Sequence, residues 1–520
     1  MTHRPQPSMQ AASSRPLGVA QSLVRDAIDA QTVYARPVVL TGDRDTLVTK
    51  NGRWCLLDCL QLLPRVVGPL TVVLPAGIGQ LEAEVRTAAA RVWSRGSVTV
   101  LTEGAPIDMR HAAAVLSIGH QARSDLPWTA INSDGWVARC SSAGTSLPAA
   151  CSQANPIAAL MAASLGVTEV FKRVYGVPQD VAPPCGLVEF SLYELSTSPT
   201  GLGPELPQTI HLADTVLIGG GAIGNGLVLL LSQLSLQGRL HIIDKQAFGD
   251  ENLGTCCLLD DLAWLSQPKA VQLATWLDKR SGLEVTGEQA LIRDARAGEV
   301  VKAMAVDLVL NGLDDVHARH DAQLMWPSIM VDGGINAVGA AVVTHRLDRP
   351  QGACLRCTFQ LLLVDGRVAQ SKATGLSFES LHGDHGRLLT ETDVDGADEA
   401  HKPWLRERLQ KGRTVCSTIV DGQARAALGV TLAAGFKPSV PFVATASAAL
   451  VIAQALRSLL YPRDRYVQLF QMANLFLGPL ASAGVLTLAD VKCECTTQRS
   501  IILRVAQTRS QAQKATQVMG

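Results

Sequence analysis

Two groups of residues in this chain have the types and spacing to do chemistry. The first is Asp214-Thr-Val-Leu-Ile-Gly-Gly-Gly-Ala-Ile-Gly-Asn-Gly226, where a short β run passes into glycines and then into the apolar helical stretch Leu227 to Leu234. Gly219, Gly221 and Gly224 give G-x-G-x-x-G, and the next β run, Leu240 to Ile243, ends on Asp244, twenty positions after Gly224. Glycines let such a turn close and let backbone approach phosphate at a helix N-terminus, while the acid hydrogen-bonds ribose hydroxyls. This predicts nucleotide binding without specifying the nucleotide. The second group is thiol: Cys354-Leu-Arg-Cys357 and Cys493-Glu-Cys495 are close pairs in a chain of twelve cysteines. Twelve cysteines in a chain this long suit reduced thiols in a cytosol better than a secreted disulfide scaffold.

The elements that must position these groups alternate between strand and helix. Asp307-Leu-Val-Leu-Asn-Gly-Leu-Asp-Asp315 reads as a buried strand ending in acids, and Ser328-Ile-Met-Val-Asp-Gly-Gly334 as another. Alternation of this kind predicts an α/β fold around a parallel sheet. The first 200 residues repeat the plan in degraded form. Leu70 to Leu74 leads into Pro-Ala-Gly-Ile-Gly79 and a helix, as the glycine-turn strand does; Ala113 to Ile118 parallels the strand at 307, and Pro127-Trp-Thr-Ala-Ile-Asn-Ser parallels Pro327 onward. Pro156, Leu165, Glu169 and Lys172 match Pro441, Leu450, Gln454 and Arg457 at a constant offset of 285. The alternative is a chance match of two Ala-rich helices. In this first copy the phosphate-binding glycines are fewer, Thr102 and Glu103 follow the second strand, and Ser117-Ile-Gly-His120 replaces an acidic strand end. It reads as scaffold without nucleotide.

The 520 residues have room for about three or four domains. The 46 basic and 46 acidic residues cancel, with no long Lys/Arg run, which argues against a general nucleic-acid or anionic-membrane binder. The opening residues, rich in Pro, Ser and Gln, read as a disordered leader over 1–30. Val440 to Leu460 is the most apolar helical stretch, but Thr445, Ser447, Gln454 and Arg457 interrupt it, so a buried helix is predicted rather than a membrane span.

Beyond Asp244 the chain reads Lys-Gln-Ala-Phe-Gly-Asp-Glu-Asn-Leu-Gly-Thr-Cys-Cys, then Leu265-Ser-Gln-Pro-Lys269. Together with the glycine turn and the strand ending in Asp314, residues 205 to 500 resemble the ubiquitin-activating, ThiF and MoeB adenylation superfamily. The resemblance implies two Rossmann-like ThiF-type folds forming a pseudo-dimer in one chain. The degenerate copy would span 31–200 and the active one 205–363. It further implies Gly219, Gly221 and Gly224 at the phosphates, Asp244 on ribose, Asn252 beside the phosphates, Lys269 on them, and Asp314 for Mg2+ and triphosphate. Adenylation brings a carboxylate against the α-phosphorus of ATP, two anions that repel, so a cation at Lys269 and Mg2+ on Asp314 suit that chemistry. Two positions depart from the family: Thr255 stands where it has Arg, and Gln246 where it has a second acid. The missing cation could come from the first copy, from Lys245 or from Arg319.

In the resembling enzymes two cysteine pairs close a structural zinc site, which assigns Zn2+ to Cys354, Cys357, Cys493 and Cys495, with buried reduced thiols as the alternative. Residues 364–412 resemble the crossover loop that covers the substrate tail; His382, Asp384 and His385 within it could bind metal, though a solvated loop suits them better. The segment 413–500 then carries Cys416, placed where the family has its nucleophile before an apolar helix, and 501–520 is a polar tail. Cys256 and Cys257, near the nucleotide, read as packing thiols.

The function implied is activation of a ubiquitin-like protein by adenylation of its C-terminal glycine, capture as a thioester on Cys416 and transfer to a conjugating enzyme. The expected setting is cytoplasmic and bacterial, by analogy of size. The expected state is a monomer with an internal pseudo-dimer or a homodimer, with neither nucleic acid nor membrane as partner. The alternatives are a sulfur-carrier or peptide C-terminal adenylyltransferase, a nicotinamide or flavin oxidoreductase, and a non-catalytic binding protein. The glycines and Asp244 fit the oxidoreductase equally well, whereas Lys269, Asp314 and the four cysteines do not.

Overall fold

The computed structural model describes residues 9–24, 28–104, 109–149, 152–336, 338–349, 351–359, 366–382, 387–415, 418–419, 422, 439–462, 470–478 and 488–519. The chain divides into two compact units. The first comprises Met1–Pro16, Asp29–Phe359 and Ser439–Gly520; the second comprises Leu17–Ile28 and Gln360–Pro438.

Two sheets of the same plan make up the first unit. One contains β1 (Val38–Gly42), β2 (Leu70–Leu74), β3 (Val98–Thr102), β4 (Ala114–Ile118), β5 (Trp128–Asp134), β6 (Val137–Ser141) and β7 (Val188–Ser191), in the order β3-β2-β1-β4-β5-β6-β7. The other contains β8 (Ile210–His211), β9 (Thr215–Ile218), β10 (Leu236–Ile243), β11 (Gly282–Glu288), β12 (Leu308–Asn311), β13 (Ile329–Ile335), β14 (Gly339–Arg346) and β15 (Phe470–Asn474). Its order is β11-β10-β9-β12-β13-β14-β15, with β8 beside β10. In each sheet five parallel strands are followed by two antiparallel ones. Parallel strands require crossovers that cover both faces, which is why β4, β9 and β12 are uninterrupted buried runs rather than alternating ones.

The predicted repeat is present, and β4 with β12 and β5 with β13 correspond as expected, but the first two strands of the expected alignment are displaced by one βα unit. The counterpart of the glycine-turn strand β9 is β1, since both lie centrally between the second and fourth strands of their sheets; Leu70 to Leu74 instead corresponds to β10. The Gly-rich segment after Leu70 to Leu74 drew the alignment to the wrong strand. The true counterpart turn, Gly42-Asp43-Arg44, has one glycine where the turn after β9 has three in a row. There the Asp43 carboxylate accepts the His120 N–H at 3.1 Å and fills the space beside Gly119, where a Cβ would lie 2.1 Å from Asp43 Oδ2.

The helices Pro156–Tyr175 and Pro441–Leu460 are both 20 residues long and lie against each other. Ser164 Oγ and Thr445 Oγ1 are 2.9 Å apart and the Phe171 and Phe442 rings 5.3 Å apart. The second helix is long and apolar enough to cross a membrane, yet 89% of its apolar window is buried in the protein. Neighbours on every side account for an apolar surface all round.

Burial has a cost on β14. His345 is enclosed, and loss of solvent pushes its imidazole down to about 4. The unfolded chain takes up that proton near the ordinary value of 6.5, so stability should be flat above it and fall as pH drops through the window from about 6.5 to 4. Between pH 7 and pH 5 this amounts to about 2 kcal/mol. Urea unfolding at the two pH values should show a steeper loss for the wild type than for His345→Gln; equal losses would remove His345 from the account.

Two stretches differ from expectation. The N-terminal residues expected as a leader form the helix Met9–Leu23, because Ala12, Val19, Ala20 and Leu23 recur at helical spacing and are buried. The stretch expected as a polar crossover loop is folded where described, with helices Gly366–Thr374, Glu391–Asp395 and Lys402–Gln410 around a core that includes Leu376, Leu389, Val394, Leu405 and Val415. Arg387 clamps both Asp393 oxygens at 2.7 Å, holding that carboxyl well below the usual carboxylate range. The C-terminal tail is helical over Arg499–Met519, and Arg509 donates to the carbonyls of Met325 and Trp326.

Candidate nucleotide site and candidate metal centre

The turn after β9 is built on its glycines. Gly219 has φ +94°, a conformation that L side chains rarely adopt, and a Cβ on Gly224 would lie 1.9 Å from the Gly219 carbonyl. Gly221 is different: a Cβ there meets nothing within 4 Å. Its lack of a side chain leaves the N-terminus of helix Ala222–Gln233 open, where backbone N–H groups and the helix dipole favour an anion. Asp244, at the end of β10, accepts the Gly220 N–H at 2.6 Å and the Gln246 N–H at 2.7 Å. The acid therefore braces the glycine turn.

Asn252 closes the short 3-10 turn Asp250–Asn252 and accepts the Gly249 N–H at 2.9 Å. Lys269 begins helix Lys269–Asp278 and is 3% exposed. Its Nζ donates to Gln246 Oε1 at 2.9 Å and lies 6.0 Å from the centre of the Phe248 ring. The Gln246 amide thus takes the place of a family acid without neutralising the lysine, a pairing that sequence reasoning noted only as a departure. Thr255 is buried and donates to the Asn252 carbonyl at 3.4 Å. Next to it, burial pushes the Cys256 thiol up, opposed by the positive charges of Lys269, Arg15 and Arg65. Cys257 is raised in the same way, so both behave as packing thiols.

Beside the turn, at the ends of β12 and β13, lies a cavity of about 240 Å3 whose walls include Ile223, Asp314, Arg319, Asp332, Asn336 and Phe359. Arg319 Nε is 3.0 Å from both Asp332 oxygens, and the guanidinium lies 4.5 Å from the Phe359 ring centre. Asn311 also donates to Asp332. Burial pushes the Asp332 carboxyl up, to about 7, against the pull of Arg319. Arg319 is therefore committed to a buried carboxylate, which weakens its candidacy as the missing cation. The Arg319 and Asp332 pair was not anticipated, because the two residues meet only across neighbouring elements of the folded sheet.

The four cysteines converge. All four Sγ atoms lie within 4.8 Å of one another, with Cys354 to Cys357 at 3.7 Å, Cys354 to Cys493 at 3.6 Å and Cys357 to Cys495 at 3.5 Å. The Asp490 N–H points at Cys357 Sγ from 3.3 Å, and Arg356 bonds Glu494 across the two pairs. This is a possible four-cysteine metal site. Cys416, Asp384 and His385 lie outside the described residues, and His382 is exposed.

The ThiF family model matches residues 193–494, more than half of the chain. The chain belongs to the ThiF family. Its ThiF match contains the glycine turn, Asp244, Asn252, Lys269, Asp314 and three of the four clustered cysteines, ending one residue before Cys495. A second model, the BilD N-terminal domain, matches residues 38–183, which carry β1 to β6 and the first long helix. A curated relative, the uncharacterized protein y4jF of Sinorhizobium fredii (strain NBRC 101917 / NGR234), is 28% identical over 253 residues, 48% of this chain and 47% of the relative. The ThiF chain described here thus spans about half the length of that relative. Among solved structures, E. coli MccB with MccA-N7isoASN is 14% identical, covering 55% of this chain and 67% of that chain with a TM-score of 0.35. E. coli MccB with ATP is 12% identical, covering 54% and 66% with a TM-score of 0.34.

Proposed function

We propose that this ThiF-family chain activates a ubiquitin-like protein: it adenylates the C-terminal glycine carboxylate with Mg-ATP, captures the acyl group on Cys416 and passes it to a conjugating enzyme. The observation that carries the reading is asymmetry within one chain. Two sheets share one topology, but the turn after β9 is open at Gly221 while the equivalent turn after β1 holds the Asp43 carboxylate against Gly119. The turn after β1 opens a helix of only 4 residues, Arg44–Leu47, against the 12 of Ala222–Gln233 after β9, so one nucleotide is expected per chain, in the second copy.

Gly219, Gly221 and Gly224 would receive the phosphates, Asp244 the ribose, and Asn252 and Lys269 the phosphate oxygens. Asp314 would hold Mg2+, whose charge offsets the repulsion between the two anions. A carboxylate oxygen of the carrier attacks the α-phosphorus and pyrophosphate leaves. Lys269, buried and directed by a neutral Gln246, offers its charge where the transition state gathers negative charge. The Cys416 thiolate then attacks the acyl carbon, AMP departs, and a thioester retains the activation. Zn2+ on Cys354, Cys357, Cys493 and Cys495 would have no open position and would pin the C-terminal segment rather than catalyse.

Intact mass under non-reducing conditions, after incubation with Mg-ATP and ubiquitin-like proteins ending in an exposed glycine, tests the scheme. A thiol-labile adduct is expected on the wild type and none on Cys416→Ala. Carrier-dependent pyrophosphate exchange without an adduct would leave adenylation standing and remove the thioester step, pointing to peptide or sulfur-carrier activation. Absence of both with a verified cognate carrier would end the enzyme reading.

A further inference from the structure

The first copy lacks an open phosphate turn, yet one of its side chains is built into the nucleotide site of the second. Arg65 closes the turn Leu63–Arg65 after helix Lys50–Leu62 and is fully buried. Its guanidinium reaches across 188 to 195 positions of sequence. Nη1 donates to the carbonyls of Leu253 at 2.7 Å and Leu259 at 3.2 Å, and Nη2 donates to the Cys257 carbonyl at 2.9 Å and to Asp260 Oδ1 at 2.5 Å. Nε is held at home by the Gln61 carbonyl at 3.0 Å. The same Asp260 oxygen accepts the Trp93 N–H at 3.2 Å, again from the first copy.

The segment that surrounds this guanidinium begins at Asn252. From Asn252 to Asp260 the chain has no helix or strand beyond the end of one 3-10 turn; it is kept in shape by short turn bonds, Thr255 and Cys256 to the Asn252 carbonyl and Leu259 to that of Cys256. Three of its carbonyls point inward with Arg65 as donor. Buried carbonyls need donors, and a planar guanidinium can serve several at once from one fixed position, which an ammonium cannot. The Gln61 amide, also from the first copy and oriented with its nitrogen toward these acceptors, donates to the Cys257 carbonyl at 3.0 Å and to Asp260 at 3.2 Å. Among the described residues, Arg65 is the side-chain donor to the carbonyls of Leu253 and Leu259.

We infer that Arg65 is a positioning residue of the nucleotide site: the first copy holds the Asn252–Asp260 segment in its nucleotide-binding form through the Arg65 guanidinium. This rests on the reading of the second copy as an ATP site. It makes the first copy a working part of that site rather than passive scaffold, and it explains why both copies belong to one chain.

The test uses the full chain as wild type, Arg65→Met and Arg65→Lys. It combines amide hydrogen exchange of residues 252–260, calorimetric binding of Mg-ATP without carrier, and carrier-dependent pyrophosphate exchange. For Arg65→Met the segment amides should exchange at least tenfold faster while β9 and β12 stay protected. Mg-ATP should bind about tenfold more weakly, and KM for ATP should rise more than kcat falls, since the interaction lost is uniform binding. Arg65→Lys should lie between the two, because it keeps the charge and loses the fork. A folded Arg65→Met with unchanged segment exchange overturns the inference, and so does faster exchange with unchanged Mg-ATP affinity. If β9 also loses protection in Arg65→Met, Asp260→Asn replaces it: the same pattern at smaller amplitude is expected, and no change in either readout overturns the inference. A wild type that binds no Mg-ATP would instead sink the nucleotide reading itself, a result distinct from a wild type and variant that bind alike.

Discussion

Lys269→Met is expected to lower carrier-dependent pyrophosphate exchange by about 100- to 1000-fold, equivalent to roughly 3–4 kcal/mol of transition-state stabilisation. The size follows from where the amino group lies. Lys269 is 3% exposed, at the first position of a helix whose Lys269 and Leu273 side chains lie against Gly220, and Gln246 fixes its Nζ at 2.9 Å. A charge already removed from water needs no reorganisation when negative charge grows on the phosphate oxygens, so its effect exceeds that of a solvated lysine. Methionine keeps much of the packing volume, and thermal unfolding should therefore move little. The loss should fall on kcat rather than on KM for ATP if the contact strengthens in the transition state. A variant that exchanges pyrophosphate at the wild-type rate would remove Lys269 from the chemistry. One that loses only ATP affinity would make it a ground-state binder.

The second large effect concerns the four cysteines. One Zn2+ per chain is expected, lost on Cys357→Ser or prolonged chelation under reducing conditions. A tetrahedral ion with sulfur at about 2.3 Å separates its ligands by about 3.8 Å. The close sulfur pairs here are 3.5 to 3.7 Å apart, and none of the six exceeds 4.8 Å. Those distances are far above the roughly 2 Å of a disulfide. Cys493 and Cys495 belong to the short helical segment that precedes helix Arg499–Met519, so the metal would tie the chain's C-terminal part to the end of the second sheet. Four-thiolate zinc binds small peptides with about 10–16 kcal/mol. In a unit that has large cores of its own, loss of the site should cost a fraction of that, about 3–5 kcal/mol. Metal analysis, thermal unfolding and limited proteolysis around residue 493 check it. A metal-free protein, purified reduced, with the same midpoint and the same protease resistance as its zinc-loaded form would dismiss the centre.

The chemistry-bearing residues were legible because each lies within a local pattern. Gly219, Gly221, Gly224 and Asp244 are one βαβ unit, and a backbone that must turn tightly has few alternatives to glycine. The cysteine pairs were likewise visible as pairs, and the long helices as a repeat at an offset of 285. Where sequence reasoning slipped, a local cue pointed away from the fold. Glycines after Leu70 to Leu74 imitated a phosphate turn, although the central position of β1 marks it as the true counterpart of β9. Polar composition suggested a leader and a loop, whereas a few well-spaced apolar residues were sufficient to fold Met9–Leu23 and the core around Leu376 and Leu405.

By itself, then, the sequence determined the α/β class, the duplication, the glycine turn and the two cysteine pairs of the possible metal site. Each of these depends on residue type at short spacing, where chain geometry leaves little freedom. Only the tertiary structure decided that Asp43 occupies the first copy's turn, that Arg319 is committed to Asp332 and that Arg65 grips the segment after Asn252. Those contacts join residues 13 to 195 positions apart: Arg319 and Asp43 meet their partners where neighbouring elements of one copy come together, and Arg65 meets its carbonyls where the two copies pack, which no pattern along the chain encodes.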